Sequence, residues 1–148
     1  MGAMRSALAL VDGSAQDSAV VSIACDLVRG SRGTVWLLYV IDVPRRLPVD
    51  AEIPAETARG EQALQRMETL GKQLKCRVEG EILQAREVGA AIIREAVERD
   101  VDSIVFGIPY MERYGSPTLG ETAPYILRHS PCAVVVHRAE QTPAEAVR

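Results

Sequence analysis

The sequence predicts a single-domain α/β sandwich, a five-stranded parallel sheet in the order 3-2-1-4-5 with helices on both faces. Three observations predict it. Short apolar, β-branched runs alternate with longer segments whose apolar residues recur at helical spacing, as in a parallel sheet crossed by helices. The first, second and fourth runs are almost continuously apolar and the third is polar at every second residue, so the third belongs at an edge and the others in the middle. A chain of 148 residues holds one substantial core and is short for two.

Ala7–Val11 is the first strand, ended by Asp12-Gly13-Ser14. Ser14 and Asp17 have the spacing of a helix-capping pair. Ala19, Val20, Ile23, Ala24, Leu27 and Val28 then mark one helix face, and Gly30 stands where a helix end favours positive φ. Thr34–Ile41 is rich in β-branched and aromatic residues and reads as the second strand. The proline-rich segment Asp42–Pro54 reads as a loop, with Arg45 and Arg46 in solvent. Glu56–Leu74 is the second helix, with Ala63, Leu64, Met67, Leu70 and Leu74 inward. Cys76–Leu83 is the polar edge strand and Glu87–Arg99 the third helix.

Ser103–Phe106 forms the fourth strand and ends on Gly107. A polar loop from Ile108 to Thr118 leads to Gly120, which opens the fourth helix; Pro131 ends that helix. Pro124 is compatible with a helix only in its first turn, so a helix beginning at Leu119 would be interrupted. Ala133–Val136 is the fifth strand, at the other edge of the sheet. It carries neither charge nor proline, and such an edge invites pairing, so a homodimer through Ala133–Val136 is expected. Residues 1–4 read as a leading segment, 5–138 as the domain and 139–148 as a loose tail.

Composition narrows the partners. A net charge of −3 supplies no basic surface for nucleic acid or an acidic membrane. No apolar run is long enough to insert in a membrane, and no signal peptide is expected. Cys25, Cys76 and Cys132 lack metal-ligand spacing and suit reduced thiols in a cytoplasmic protein.

In the order 3-2-1-4-5 the direction of sheet growth reverses between strands one and four, and ligands bind at the carboxyl ends beside that switch. Two glycine-containing turns meet there, Asp12-Gly13-Ser14 and the loop from Gly107 to Gly120. A glycine-rich loop running into a helix start lets backbone N–H groups approach an anion.

The pieces ALALVDGS, LLYVIDVP, VDSIVFG and LGETAPYILRHSPCAVVVHR, in this order and spacing, resemble the universal stress protein family over roughly Arg5 to Arg138. The resemblance implies the same five-stranded fold. It also implies a regulatory or stress-response protein without turnover, whose crevice takes an adenine nucleotide. ATP-binding members carry Gly-x-x-Gly, nine residues, then Gly-[Ser/Thr]. Here Gly107 and Gly120 match the first and third glycines, while Tyr110 and Glu121 replace the second glycine and the hydroxyl residue. The resemblance gives Asp12 the ribose, the backbone of Val40 the adenine edge, and Gly107 and Gly120 the phosphate end. Tyr110 would block close backbone approach, and Glu121 adds a like charge. Two like charges about 4 Å apart repel by about 4 kcal/mol at an effective dielectric of about 20. A helix N-terminus returns about 0.3–1 kcal/mol. AMP is therefore expected ahead of ATP with magnesium. Thr118 and Glu121 also have capping-box spacing, and Tyr110, Arg113, Tyr114 and Ser116 are candidates for a remodelled ligand wall. His129 reads as a cation at a helix end, and His137 as a residue of the surface or dimer edge.

The alternative is a protein-interaction or transporter-regulating module with a degenerate pocket. Catalysis lacks a signature: there is no Walker A sequence, no Gly-x-Ser-x-Gly and no HExxH.

Overall fold

The computed structural model describes residues 4–109, 112–113, 116–117 and 120–139. In chain order the elements are β1 (Ser6–Leu10), α1 (Asp17–Arg29), β2 (Thr34–Asp42), α2 (Pro54–Gln73), β3 (Arg77–Ala85), α3 (Val88–Glu98), β4 (Ser103–Ile108), β5 (Glu112–Arg113), β6 (Ser116–Pro117), α4 (Thr122–His129) and β7 (Ala133–Arg138). The main sheet is parallel throughout and runs β3-β2-β1-β4-β7, the expected order with β7 as its fifth strand.

Alternation along each strand sorts the core into two layers. Ala7 and Ala9 of β1, Val35, Leu37 and Tyr39 of β2 and Val105 of β4 face α1 and α2. Leu8, Leu38, Ile104 and Phe106 face α3 and α4. Of the stripe expected on α1, Val20, Ala24 and Val28 are buried, joined by Val21 and Cys25, while Ala19, Ile23 and Leu27 are partly buried. On the second face Trp36 of β2 carries Arg99 at 4.5 Å over its ring, and Arg99 also pairs with Glu95 and Glu81.

Several boundaries differ from those expected. Gly30 has φ −63° in a helical conformation, and the left-handed residue that turns the chain into β2 is Arg32, at φ 54°. β4 runs through Gly107 to Ile108, because these residues pair with His137 and Arg138 of β7. The segment after it holds a two-residue antiparallel ribbon, Glu112 with Pro117 and Arg113 with Ser116, too short to leave a periodic signal. α4 begins at Thr122 instead of Gly120, so Pro124 falls in its first turn, where no helical N–H bond is lost. Ser130, before Pro131, is extended and ends the helix.

Candidate functional site

The site is built on the carboxyl ends of β1 and β4. β1 stops at Leu10, and its pairing with β2 stops at Leu38. β2 runs on to Asp42, so Val40 lies beyond the end of its central neighbour. Between these ends and the start of α4 is a crevice of about 300 Å³. Asp12, Val40, Gly107 and Gly120 all line it, so the chain folds the four expected positions into one place. Apolar walls come from Leu38, Ile92 and Phe106.

The turn after β1 is held by its own carboxylates. Gly13 takes φ 83°, which a residue with a Cβ adopts only under strain. Asp12 uses Oδ1 to accept the Ser14 N–H at 2.9 Å, so it is both the turn residue and part of the crevice lining. Asp17 is buried and accepts the N–H groups of Asp12 at 3.1 Å and Gly13 at 2.9 Å. Burial pushes its carboxyl from 3.8 up to about 6, and the neighbouring Asp12 adds to the rise; the two backbone N–H donors pull the other way. The expected Ser14–Asp17 capping pair takes a different form. Gln16 is the N-cap without a side-chain cap bond, and the Asp17 carboxylate secures the loop.

Gln16 is a site residue that the sequence reading missed. Its side chain lies over Gly107, where an added Cβ would meet Gln16 Oε1 at 2.8 Å. His137, opposite Gly107 in the β4–β7 register, has Nδ1 3.0 Å from the same oxygen. His137 is half-buried on the edge strand β7 and reaches the crevice only through Gln16, which lines it. A lone glutamine in a turn carries no motif; only the fold brings it to Gly107.

At the far side Gly120 takes φ 73° in the turn before α4. Glu121 is the exposed N-cap and makes no side-chain cap bond, so the expected capping box does not form on its side. It lines the crevice and also the neighbouring groove with Arg86 and Tyr125. Tyr110, Tyr114, Thr118 and the side chains of Arg113 and Ser116 lie outside the described residues. Among the described lining residues, the charged ones are Asp12, Asp17 and Glu121, all acidic. Among the described residues no group of three or more His, Cys, Asp or Glu is arranged to hold a metal, and no helix is long and apolar enough to cross a membrane. His129 sits in the last turn of α4 with its ring 4.3 Å from that of Tyr125, at the cation-favouring end.

The structure is similar to that of a universal stress protein from Archaeoglobus fulgidus, with a TM-score of 0.75 and 18% identity over 90% of this chain and 97% of that one. A structure described as the protein from Archaeoglobus fulgidus in complex with dAMP gives 0.71 and 18% over 92% and 98%. Universal stress protein UspA from Lactobacillus plantarum gives 0.72 and 23% over 93% and 100%. No curated protein sequence matches the chain. The model of the universal stress protein family matches residues 4–138, and the chain belongs to that family.

Proposed function

We propose that this protein is a cytoplasmic regulatory or stress-response protein that binds an adenine nucleoside monophosphate in the crevice without turning it over. The observation that carries this reading is the convergence of Asp12, Val40, Gly107 and Gly120 on one cleft at the switch point of the sheet. The dAMP complex of the similarly folded Archaeoglobus fulgidus protein supports the ligand class. Asp12 holds the ribose, the Val40 backbone meets the adenine edge, and Gly107 and Gly120 line the phosphate end. With Asp12, Asp17 and Glu121 around the crevice, each further phosphate adds repulsion, which favours AMP over ATP with magnesium. The three free cysteines suit a reducing compartment.

β7 ends the sheet, with Ala133 exposed and Val136 37% exposed, and a second copy pairing along this edge makes the homodimer. Sedimentation of the protein and of Val136→Lys tests that assembly.

A second reading, a protein-interaction or transporter-regulating module, draws on the Gln16 side chain that covers Gly107. Calorimetric titration of nucleotide-stripped protein with AMP and with ATP plus magnesium, alongside Asp12→Ala, separates the two. Saturable AMP binding lost in Asp12→Ala supports the nucleotide site. Absence of heat at two temperatures, at concentrations that detect micromolar affinity, supports the interaction module.

A further inference from the structure

The opposite end of the sheet has a different chemistry. A hollow of about 540 Å³ lies where α1 and α2 end and β3 begins, and its charged lining residues are Arg29, Arg32, Lys75 and Arg77, all basic. Two cysteines share its wall. Cys25 is buried on the inner face of α1, and Cys76, partly exposed, packs against the core cluster that contains it. Cys76 is anchored on both sides. Its N–H donates to the Gly71 carbonyl at 2.9 Å, Lys75 turns the chain at φ 55°, and Arg77 enters the sheet opposite Thr34.

We infer that Cys25 and Cys76 form a thiol–disulfide exchange site for small anionic disulfides, and that oxidation staples α1 to the α2–β3 turn. Cys76 is reached from the hollow and attacks one sulfur of the small disulfide as a thiolate. The S–S bond of the reagent breaks, and the departing thiolate takes up the proton that Cys76 released. Cys25 then attacks the Cys76 sulfur of the mixed disulfide, and the second small thiolate leaves with the Cys25 proton. The protein gives up two electrons and two protons, and one small disulfide becomes two thiols. Arg29 is paired with Asp26 at 2.5 Å, and Arg32, Lys75 and Arg77 draw carboxylates into the hollow. Burial, with Cys76 alongside, pushes the Cys25 thiol up to about 12, so Cys25 waits as the neutral resolving thiol and its step quickens with pH. Cys132 belongs to the other core layer, beside Ser130 Oγ at 3.5 Å, and serves as an internal control.

The test treats the reduced full chain with oxidised glutathione (anionic), hydroxyethyl disulfide (neutral) and cystamine (cationic), each rate normalised to that with free cysteine. Intact mass and peptide mapping are expected to show loss of two hydrogens and a Cys25–Cys76 cross-linked peptide, reversed by dithiothreitol. Oxidised glutathione should act about tenfold faster than cystamine. The Tm of the oxidised form should rise by roughly 5–10 °C. Cys25→Ala should stop at a stable glutathione adduct on Cys76. Cys76→Ser, changed at a partly exposed position, keeps the test open if the core variant does not fold, and should show neither adduct at Cys25 nor loss of two hydrogens. Free Cys25 and Cys76 thiols alongside a modified Cys132 would overturn the site. A faster reaction with cystamine would overturn its preference for anions.

Discussion

Nδ1 of His137 donates to Oε1 of Gln16 across 3.0 Å, and the glutamine side chain so held lies over Gly107. Strand β7, the turn before α1 and the end of β4 are thereby joined at the Gly107 side of the crevice. Gln16→Ala removes the cover and the bond together. The cost in stability should be about 1 kcal/mol, one part-buried hydrogen bond. AMP affinity should rise about threefold to fivefold, because the ligand no longer displaces an ordered side chain. Thermal unfolding and calorimetry measure the two effects, and weaker AMP binding in the variant would make Gln16 a ligand contact instead of a cover.

Asp17 gives the fold a pH dependence of definite sign. Its folded value of about 6 lies above the ordinary 3.8, so its contribution is fully present below about pH 4 and is lost as pH rises through about 6. The span corresponds to about 3 kcal/mol at most. Asp17→Asn should lose this slope. Measured against the variant, the wild type should be relatively more stable at pH 4 than at pH 7 in urea titrations. Parallel pH profiles for the two proteins would rule the assignment out.

Glu121 stands in solvent at the start of α4, so the repulsion of about 4 kcal/mol that applies at close range is screened toward values typical of exposed pairs, about 0.2–1 kcal/mol. Glu121→Gln should therefore tighten ATP by no more than about fivefold and AMP by less. The difference should shrink in high salt. A hundredfold gain would show that the carboxylate turns inward when nucleotide arrives.

Asp102 closes the far end of the central strand. One carboxylate oxygen accepts the N–H groups of Arg5 at 2.7 Å and Ser6 at 3.1 Å, and its own N–H donates to the Ser6 carbonyl at 3.0 Å. Asp102→Ala should cost about 1–3 kcal/mol in chemical denaturation, and leave AMP binding unchanged because the site is at the other end of β1. A nucleotide defect in this variant would mean that the two ends of β1 are coupled.

The strands were legible because each apolar run is long enough to be buried on both faces, and the polar alternation of β3 marked its edge. Asp12 and Gly13 were legible because a turn leaves a local chemical signature. Gln16 and His137 were not, since their meeting depends on β7 lying beside β4, a contact between residues far apart in the chain. The start of α4 was misplaced for a similar reason. Gly120 favours a helix entrance as readily as the left-handed turn it occupies, and Pro124 only bounds the choice.

The position of β1 sets a timetable for the ribosome. This strand is synthesised first yet lies in the middle of the sheet, and one of its two neighbours, β4, begins only at Ser103. At about 5–20 residues per second the interval is roughly 5–20 s. Until α3 (Val88–Glu98) is made, β1, β2 and β3 can be covered by α1 and α2 on one face alone. Leu8, Trp36 and Leu38 wait on the other for helices that have not yet been made. The nascent half-sandwich therefore presents an apolar face to whatever surrounds the ribosome exit, and nascent-chain binding factors have their opportunity before α3 and β4 emerge.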